Sequence, residues 1–315
     1  MNRLVYLVNP STRPVLEFLK EKDFEVVLGD GKVSEDLLKR CWAMIPGKDP
    51  VTKEVLDKAP ELKLIVKKGV GLDRIDIPTC TERGICVANT PFTNYISVAE
   101  HAIALLMAAA KKLYPISLGI RCENPDAKIM YRYQPIELYG KTLSVIGLGN
   151  IGMYTAKLGL GLGMKVLGYA RHPEKLDIPE GIELAGSMEE ALQRGDFVSL
   201  HVAGTKENHN LIGARELGLM KPTAILINTT RGFVIDEEAL YNALTDGPIA
   251  GAALDVFAKE PIQGDNPLLK LVNVTATPHS GGYTSEANTR GYFQCAEIIA
   301  QYAEGIYPAT AANQV

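Results

Sequence analysis

Cysteine is scarce and scattered, with five residues at positions 41, 80, 86, 122 and 295 and no Cys-x-x-Cys pair among them. Such a set excludes a disulfide framework and offers no metal-ligand spacing. It fits reduced, packed thiols in a cytoplasm, and no metal is expected. An excess of either charge is missing too. The formal net charge of −4 gives no reason to expect nucleic acid or an anionic membrane surface. The longest apolar stretch, Ala102–Ala110, has nine residues where a membrane-spanning helix needs about 20. The start of the chain lacks a signal-peptide pattern, because Leu4–Val8 already reads as a strand. Tandem repeats and low-complexity tracts are absent. What remains is an ordinary globular composition, 46% hydrophobic and 22% charged, over 315 residues, a length for two domains and a sizeable core.

The most informative stretch is residues 140–171. Leu143, Val145 and Ile146 form a short apolar, β-branched run that reads as a buried strand. It ends on Gly147-x-Gly149-x-x-Gly152, and a helical segment then runs to Gly163, a glycine suited to a helix C-cap. Met164–Tyr169 returns as the next strand. In such a βαβ unit the first glycine allows the tight turn. The second lets backbone approach a pyrophosphate, and the third allows helix and strand to pack closely. The helix N-terminus offers N–H groups and partial positive charge to the phosphates. A dinucleotide is therefore the expected ligand.

Before this unit, residues 1–92 alternate apolar runs with polar helical stretches. Strands are expected at Leu4–Val8, Phe24–Leu28, Trp42–Ile45, Leu64–Val66 and Ile85–Ala88, and helices near 12–21, 34–40, 52–58 and 74–82. That alternation predicts a parallel α/β sheet. Lys67 to Asp73, with Gly69 and Gly71, follows one strand directly and is either a ligand-binding loop or a plain tight turn. Asn94–Leu113 reads as one long helix, apolar nearly all round, buried between domains or subunits, with His101 on it as a structural residue. Residues 114–139 read as an irregular arm. After the βαβ unit, strands are expected at Phe197–Val202, Ala224–Asn228, Ile249–Leu254 and Val272–Thr275, with helices near 187–194, 213–220 and 236–246. These complete a doubly wound sheet of at least six strands, and a last helix spans Ser285–Gly305.

Polar residues just past three of those strands carry chemistry: Arg231, the carboxylates Asp255 and Glu260, and His279. An arginine can bind a carboxylate bidentately and polarise a carbonyl. A histidine can exchange a proton near neutral pH, and a neighbouring carboxylate holds its tautomer. All three stretches converge on the strand ends that face the glycine-rich turn.

With these residues the sequence resembles the D-isomer-specific 2-hydroxyacid dehydrogenase family. The motifs are Gly-Val-Gly-x-Asp at 69–73, Val-Ala-Glu-His at 98–101, Gly-Lys-Thr-Leu at 140–143 and the glycine-rich turn. They continue with Asn-x-x-Arg-Gly at 228–232, Leu-Asp-Val-Phe at 254–257, Glu-Pro at 260–261 and Pro-His at 278–279. The resemblance implies two Rossmann-like or flavodoxin-like parallel-sheet domains with a cleft between them. A substrate domain of residues 1–97 and 286–315 would flank a coenzyme domain of residues 98–285. It implies an NAD(P)-dependent enzyme transferring hydride to or from C2 of a small 2-oxo or 2-hydroxy acid. Arg231 would grip the carboxylate and C2 oxygen, with backbone N–H groups of Val70 and Gly71 on the far side of the carboxylate. His279 would be the general acid, with Glu260 as its partner. Cofactor contacts would come from Gly147, Gly149, Asn150, Ile151, Gly152, Arg171, Val202, Asn208, Thr229, Asp255 (to the nicotinamide carboxamide) and Gly281. A homodimer through the coenzyme domain is implied as well.

The chain departs from the family at Val202-Ala203-Gly204, where a proline is usual, at Lys111-Lys112 in place of arginine, and in an arm with tyrosines instead of tryptophan. The second strand of the βαβ unit ends in Ala170 where an NAD site carries an acid, and the next carboxylate is Glu174. Arg171 and Lys175 stand ready for a 2′-phosphate, so NADP is favoured over NAD. Two alternatives remain: a dinucleotide-sensing protein like the corepressors that share this fold, and a short phosphoglycerate dehydrogenase using Lys67 and Lys68 as phosphate ligands.

Overall fold

The computed structural model describes residues 3–9, 11–47, 49–122 and 133–315. By its own contacts the chain divides into two compact units, Met1–Asn94 with Tyr283–Val315, and Tyr95–Gly282. In the first unit the order is β1 (Arg3–Leu7), α1 (Arg13–Glu21), β2 (Phe24–Leu28), α2 (Glu35–Leu38), β3 (Cys41–Ile45), α3 (Lys53–Asp57), β4 (Leu64–Lys67), α4 (Ile77–Glu82) and β5 (Cys86–Asn89). All pair in parallel, in the order β2-β1-β3-β4-β5. Successive side chains on a strand face opposite ways, so both faces must be covered. Val5, Leu7, Leu64 and Val66 pack with Val15 and Leu19 of α1 on one face, where Cys295, Ala296 and Ile299 also lie. Tyr6, Met44, Ile65 and Val87 pack with Leu38, Leu56 and Cys80 on the other.

The second unit runs α5 (Tyr95–Ala110), α6 (Leu113–Cys122), β6 (Thr142–Ile146), α7 (Asn150–Gly161), β7 (Lys165–Tyr169), β8 (Ile182–Leu184), α8 (Met188–Arg194), β9 (Phe197–Leu200), α9 (Ala214–Leu219), β10 (Ile225–Asn228), α10 (Glu237–Thr245), β11 (Gly251–Leu254) and β12 (Val274–Ala276). The closing helix α11 (Ser285–Ala303) returns to the first unit, where it packs on α1 and β4. The seven strands lie in parallel in the order β12-β11-β10-β9-β6-β7-β8. Leu143, Val145, Ile225 and Ile227 pack under α5 and α7, whereas Ile146, Leu200 and Leu226 pack under α8, α9 and α10. The sheet is thus doubly wound. From β6 the chain goes one way to β8, then crosses back to β9 and continues the other way. The crevice that opens between β6 and β9 is where such sheets place ligands.

Several expectations need correction. The long helix ends at Ala110, not Leu113, because Lys112 takes a left-handed turn (φ 51°) and a new helix starts at an angle of 59°. The supposedly irregular arm is therefore helical as far as Cys122. Pro115 is accommodated there because it sits in the first turn, whose N–H groups have no partner in the helix. The part of that arm at 123–132 lies outside the described residues. α5 buries its apolar side on its own unit, against α7, β10 and β11, and leaves Glu100, Ala104 and Met107 exposed. The edge strand β8 was not expected; three residues are too few for a periodicity to register. Helix α7 stops at Gly161. Gly163 follows with φ +73° and donates to the Leu160 carbonyl at 2.9 Å, closing the helix one turn as a left-handed cap. Among the described residues no single helix is long and apolar enough to cross a membrane.

Candidate active site

The turn after β6 has the shape its glycines foretell. Gly147 has φ +99°, and a Cβ there would stand 2.6 Å from the His201 carbonyl oxygen. A Cβ on Gly152 would stand 1.9 Å from the Gly147 carbonyl oxygen, so helix and turn could not close on any larger residue. Above Gly149, the N-cap of α7, a Cβ would meet nothing within 4 Å. Asn150 and Ile151 occupy the first helical turn, where N–H groups have no acceptor within the helix. Backbone donors next to an open space fit a pyrophosphate.

The other strand ends continue the same rim. Val202 follows β9 and Thr229 follows β10. The Thr229 hydroxyl oxygen is buried and has no hydrogen-bond partner, which suits a polar ligand beside it. Arg171, after β7, donates through Nη2 to Oδ1 of the buried Asn208, whose Nδ2 donates to the Ala203 carbonyl at 2.8 Å. Arg171 and Asn208 are thus one assembly. Glu174 turns to His172, at 3.3 Å, and the Lys175 N–H closes a short turn on the His172 carbonyl at 3.2 Å.

Arg231 lies half-buried with its stem over Gly204, where a Cβ would stand 2.7 Å from Arg231 Cγ. Asn228 shapes the Arg231 turn: its Oδ1 accepts from the Thr230 N–H and hydroxyl at 3.0 and 2.9 Å, and its Nδ2 donates to the Arg231 carbonyl at 3.0 Å. The next residue, Gly232, lies so close to the Phe257 carbonyl carbon that a Cβ would stand 1.8 Å away. That contact packs the Arg231 loop against the loop bearing Glu260. His279 and Glu260, nineteen residues apart, meet with Nδ1 2.7 Å from Oε2, and the other Glu260 oxygen accepts from the Phe257 N–H at 3.3 Å. The carboxylate holds the Nδ1 proton, leaving Nε2 as the nitrogen that exchanges one.

Asp255 is the buried charge of this rim, 2% exposed. Burial by itself would raise its pKa. Hydrogen bonds from His101, Thr277 and the N–H groups of Ser280 and Gly281 outweigh that and hold it at about 2. The Thr277 hydroxyl is 2.6 Å from Oδ1, Ser280 N 2.8 Å from Oδ1, and Gly281 N 2.8 Å from Oδ2. The His279 N–H donates to the Asp255 carbonyl at 2.6 Å. Successive N–H groups can converge in this way because His279 is left-handed, φ 54°. That conformation costs roughly 1–2 kcal/mol for a residue with a Cβ, offset by charge-assisted bonds worth about 1.5–3 kcal/mol each. His101, read from the sequence as a structural residue, sends Nε2 to Thr277 Oγ1 at 2.9 Å and lies 3.3 Å from Asp255 Oδ1. Nothing in the residue types of Thr277 and Asn228 marks them as organisers, although each lies within three residues of a candidate and so within reach of its turn.

Val70 and Gly71 belong to the first unit, in the loop after β4. The Gly69 N–H donates to Thr90 Oγ1 at 2.8 Å, and Asn89 Nδ2 to the Val70 carbonyl at 2.8 Å. Lys67 donates to the Gly47 carbonyl at 2.6 Å. Lys68 donates to Asn288, its ammonium 5.5 and 4.7 Å from the ring centres of Tyr283 and Tyr292.

Beneath the glycine-rich turn, His201 has a buried Nδ1 without a partner, and its Nε2 lies 2.8 Å from Ser199 Oγ. Burial pushes this imidazole down to about 3. A histidine that stays neutral in the fold and ionises near 6.5 when unfolded leaves stability intact above pH 6.5 and withdraws it as pH falls towards 3. Urea unfolding of wild type is expected to lose up to about 1.4 kcal/mol per pH unit over that window from this group. The same titration in His201→Gln should be flatter, and an equally steep decline would assign the loss to other groups.

Comparison with known proteins places the chain in a family. Residues 103–281 match the family model described as D-isomer specific 2-hydroxyacid dehydrogenase, NAD binding domain. The chain is 40% identical to the D-3-phosphoglycerate dehydrogenase of Methanocaldococcus jannaschii over 306 residues, 96% of this chain but 57% of that protein, so it spans little more than half of that relative. It is also 40% identical to the glyoxylate reductase of Korarchaeum cryptofilum, over 90% of this chain and 86% of that one. The crystal structure of D-lactate dehydrogenase from Aquifex aeolicus, complexed with NAD and lactic acid, superposes with a TM-score of 0.78 at 33% identity, covering 96% of each chain. Motifs, doubly wound sheet and relatives agree, and the chain belongs to the D-isomer specific 2-hydroxyacid dehydrogenases.

Proposed function

We propose that this chain interconverts a small 2-oxo acid and the D-2-hydroxy acid with a nicotinamide cofactor, NADP in preference to NAD. The observation that carries the reading is the His279–Glu260 pair, 2.7 Å apart beyond the strand ends that also carry the glycine-rich turn and Arg231. Gly147, Gly149, Asn150, Ile151, Gly152, Val202, Asn208, Thr229, Asp255 and Gly281 would hold the cofactor, which supplies or accepts the hydride at C2. Arg231 grips the carboxylate and polarises the C2 oxygen, and backbone N–H groups of Val70 and Gly71 assist with the carboxylate. His279 Nε2 protonates that oxygen in reduction and takes the proton back in oxidation, while Glu260 stabilises the charged ring.

Two further features refine the proposal. Lys67 and Lys68, the basis for a phosphorylated substrate, are engaged with Gly47, Asn288 and two tyrosine rings, which favours an acid of glyoxylate or hydroxypyruvate size. Met107, Leu113, Tyr114, Leu118, Ile120 and Tyr139 expose apolar surface along α5, α6 and the segment before β6, which supports a homodimer through this unit. Light scattering should then give twice the chain mass, and a monomer at micromolar concentration would overturn the dimer.

Turnover of glyoxylate and hydroxypyruvate tests the activity. His279→Ala should lower kcat by at least ~10²-fold, the worth of a positioned acid. Glu260→Gln should move the pH–rate profile for reduction, with activity failing at lower pH than in wild type. Near-normal turnover in His279→Ala would assign the proton to another group. No turnover of any 2-oxo acid by wild type would favour a dinucleotide-sensing protein.

Cofactor choice rests on β7, which runs into Ala170 without a carboxylate, and on Arg171, held by Asn208. A 2′-phosphate would meet a cation there and no carboxylate at the end of β7. Comparison of kcat/KM should favour NADP in wild type, and Ala170→Asp should shift the ratio towards NAD by about tenfold, one charge interaction of ~1.4 kcal/mol. A wild-type preference for NAD would leave Arg171 as an adenine-side contact.

A further inference from the structure

We propose that His101 is a positioning residue for His279, acting through Thr277 and Asp255. The inference rests on His279 being the general acid. It starts from proton bookkeeping along a chain of contacts that lies wholly within the second unit. Asp255 is ionised and can only accept, so the Thr277 hydroxyl, 2.6 Å from Oδ1, donates its single proton there. That hydroxyl oxygen is then an acceptor towards His101 Nε2 at 2.9 Å, and Nε2 must carry hydrogen. The directions follow: His101 Nε2–H to Thr277 Oγ1, and at 3.3 Å to Asp255 Oδ1 as well, Thr277 O–H to Asp255 Oδ1, with Ser280 N–H on Oδ1 and Gly281 N–H on Oδ2.

What this chain fixes is the turn that carries the acid. Thr277 stands two residues before His279, and its own N–H is anchored on the Leu254 carbonyl at 2.9 Å. Ser280 and Gly281 stand directly after it. The three N–H groups of residues 279, 280 and 281 all end on Asp255, the first on its carbonyl and the others on its carboxylate. His279 sits in the middle with the left-handed φ of 54° that this convergence requires. Gly281 leaves the space that the His101 ring fills, since a Cβ there would stand 3.1 Å from His101 Cδ2 and 3.0 Å from Asp255 Oδ2. His101 comes from α5, which packs on β10, β11 and β12, so its ring is delivered by a rigid helix. Removing the ring takes a donor from Thr277 Oγ1, 2.9 Å away, and from Asp255 Oδ1, 3.3 Å away, and leaves a space beside Gly281 into which the turn can shift, so the His279 ring loses its aim at the C2 oxygen. Misplacement of a reacting group by a fraction of an ångström lowers the rate while leaving substrate affinity to Arg231.

The test is a double-mutant cycle on glyoxylate reduction, with Tm recorded for each variant. His101→Leu removes the donor, His101→Gln supplies an amide N–H near the Nε2 position, and Thr277→Val breaks the same relay isosterically should the leucine variant not fold. His101→Leu and Thr277→Val are expected to lower kcat about tenfold with KM for glyoxylate within about twofold, His101→Gln recovering to within about threefold of wild type. In a His279→Ala background, His101→Leu should cost nothing more, because the group it aims is gone. The proposal is overturned if His101→Leu and Thr277→Val leave kcat unchanged, if glutamine is no better than leucine, or if the losses multiply in the His279→Ala background. If His279→Ala itself retains near-normal activity, the general-acid reading fails instead, whatever His101 does.

Discussion

The carboxylate of Asp255 is the constraint on which the rest of the proposed site depends. It is a fully buried charge, and a buried charge is tolerated only when its lone pairs are occupied. Here the occupants are the N–H groups of the turn that presents His279, together with the Thr277 hydroxyl. Satisfying the charge and shaping the turn are one event, which is why a histidine can hold a left-handed conformation there without glycine's freedom.

The same economy recurs along the sheet. Strands β6, β9, β10 and β11 are buried on both faces, with Ser144 and Ser199 as polar side chains inside them, and Arg231, Asp255 and Glu260 lie just beyond the carboxyl ends of β10 and β11. There, tight backbone contacts replace side-chain packing. Gly147 closes on His201, Gly152 on Gly147, and Gly232 on Phe257. Gly147 and Gly232 let loops from different strands touch, Gly152 lets α7 close on its own turn, and together they lock the glycine-rich turn, the Arg231 turn and the Glu260 loop to neighbouring strand ends. A methyl group at any of these points would push the backbone apart, and the placement of the glycine-rich turn, the Arg231 turn and the Glu260 loop would go with it.

Much of the fold was legible in the sequence. Runs such as Leu143–Ile146 and Ile225–Asn228 are too short and too β-branched for buried helices, and their alternation with amphipathic segments leaves a parallel sheet as the arrangement that covers both faces. The break between α5 and α6 was not legible, because helical periodicity continues across Lys111 and Lys112 and only a backbone dihedral at Lys112 ends it. Edge strand β8 was hidden for the opposite reason, having too few residues to show any period.

At the candidate site the division is similar. Residue type and position after a strand single out Arg231, Asp255, Glu260 and His279, since a polar group just beyond an apolar strand has no packing role to fill. By itself the sequence determined the strand–turn–helix of the glycine-rich loop, because an apolar β-branched run, three glycines that admit a tight turn, and a helical segment follow one another directly. The resemblance already paired Glu260 with His279, while only the tertiary structure decided the other pairings: Arg171 to Asn208, and His101 through Thr277 to Asp255, partners 37, 176 and 22 residues apart. Hydrogen bonds act over about 3 Å, and no local pattern encodes which distant side chain a fold will bring within that reach.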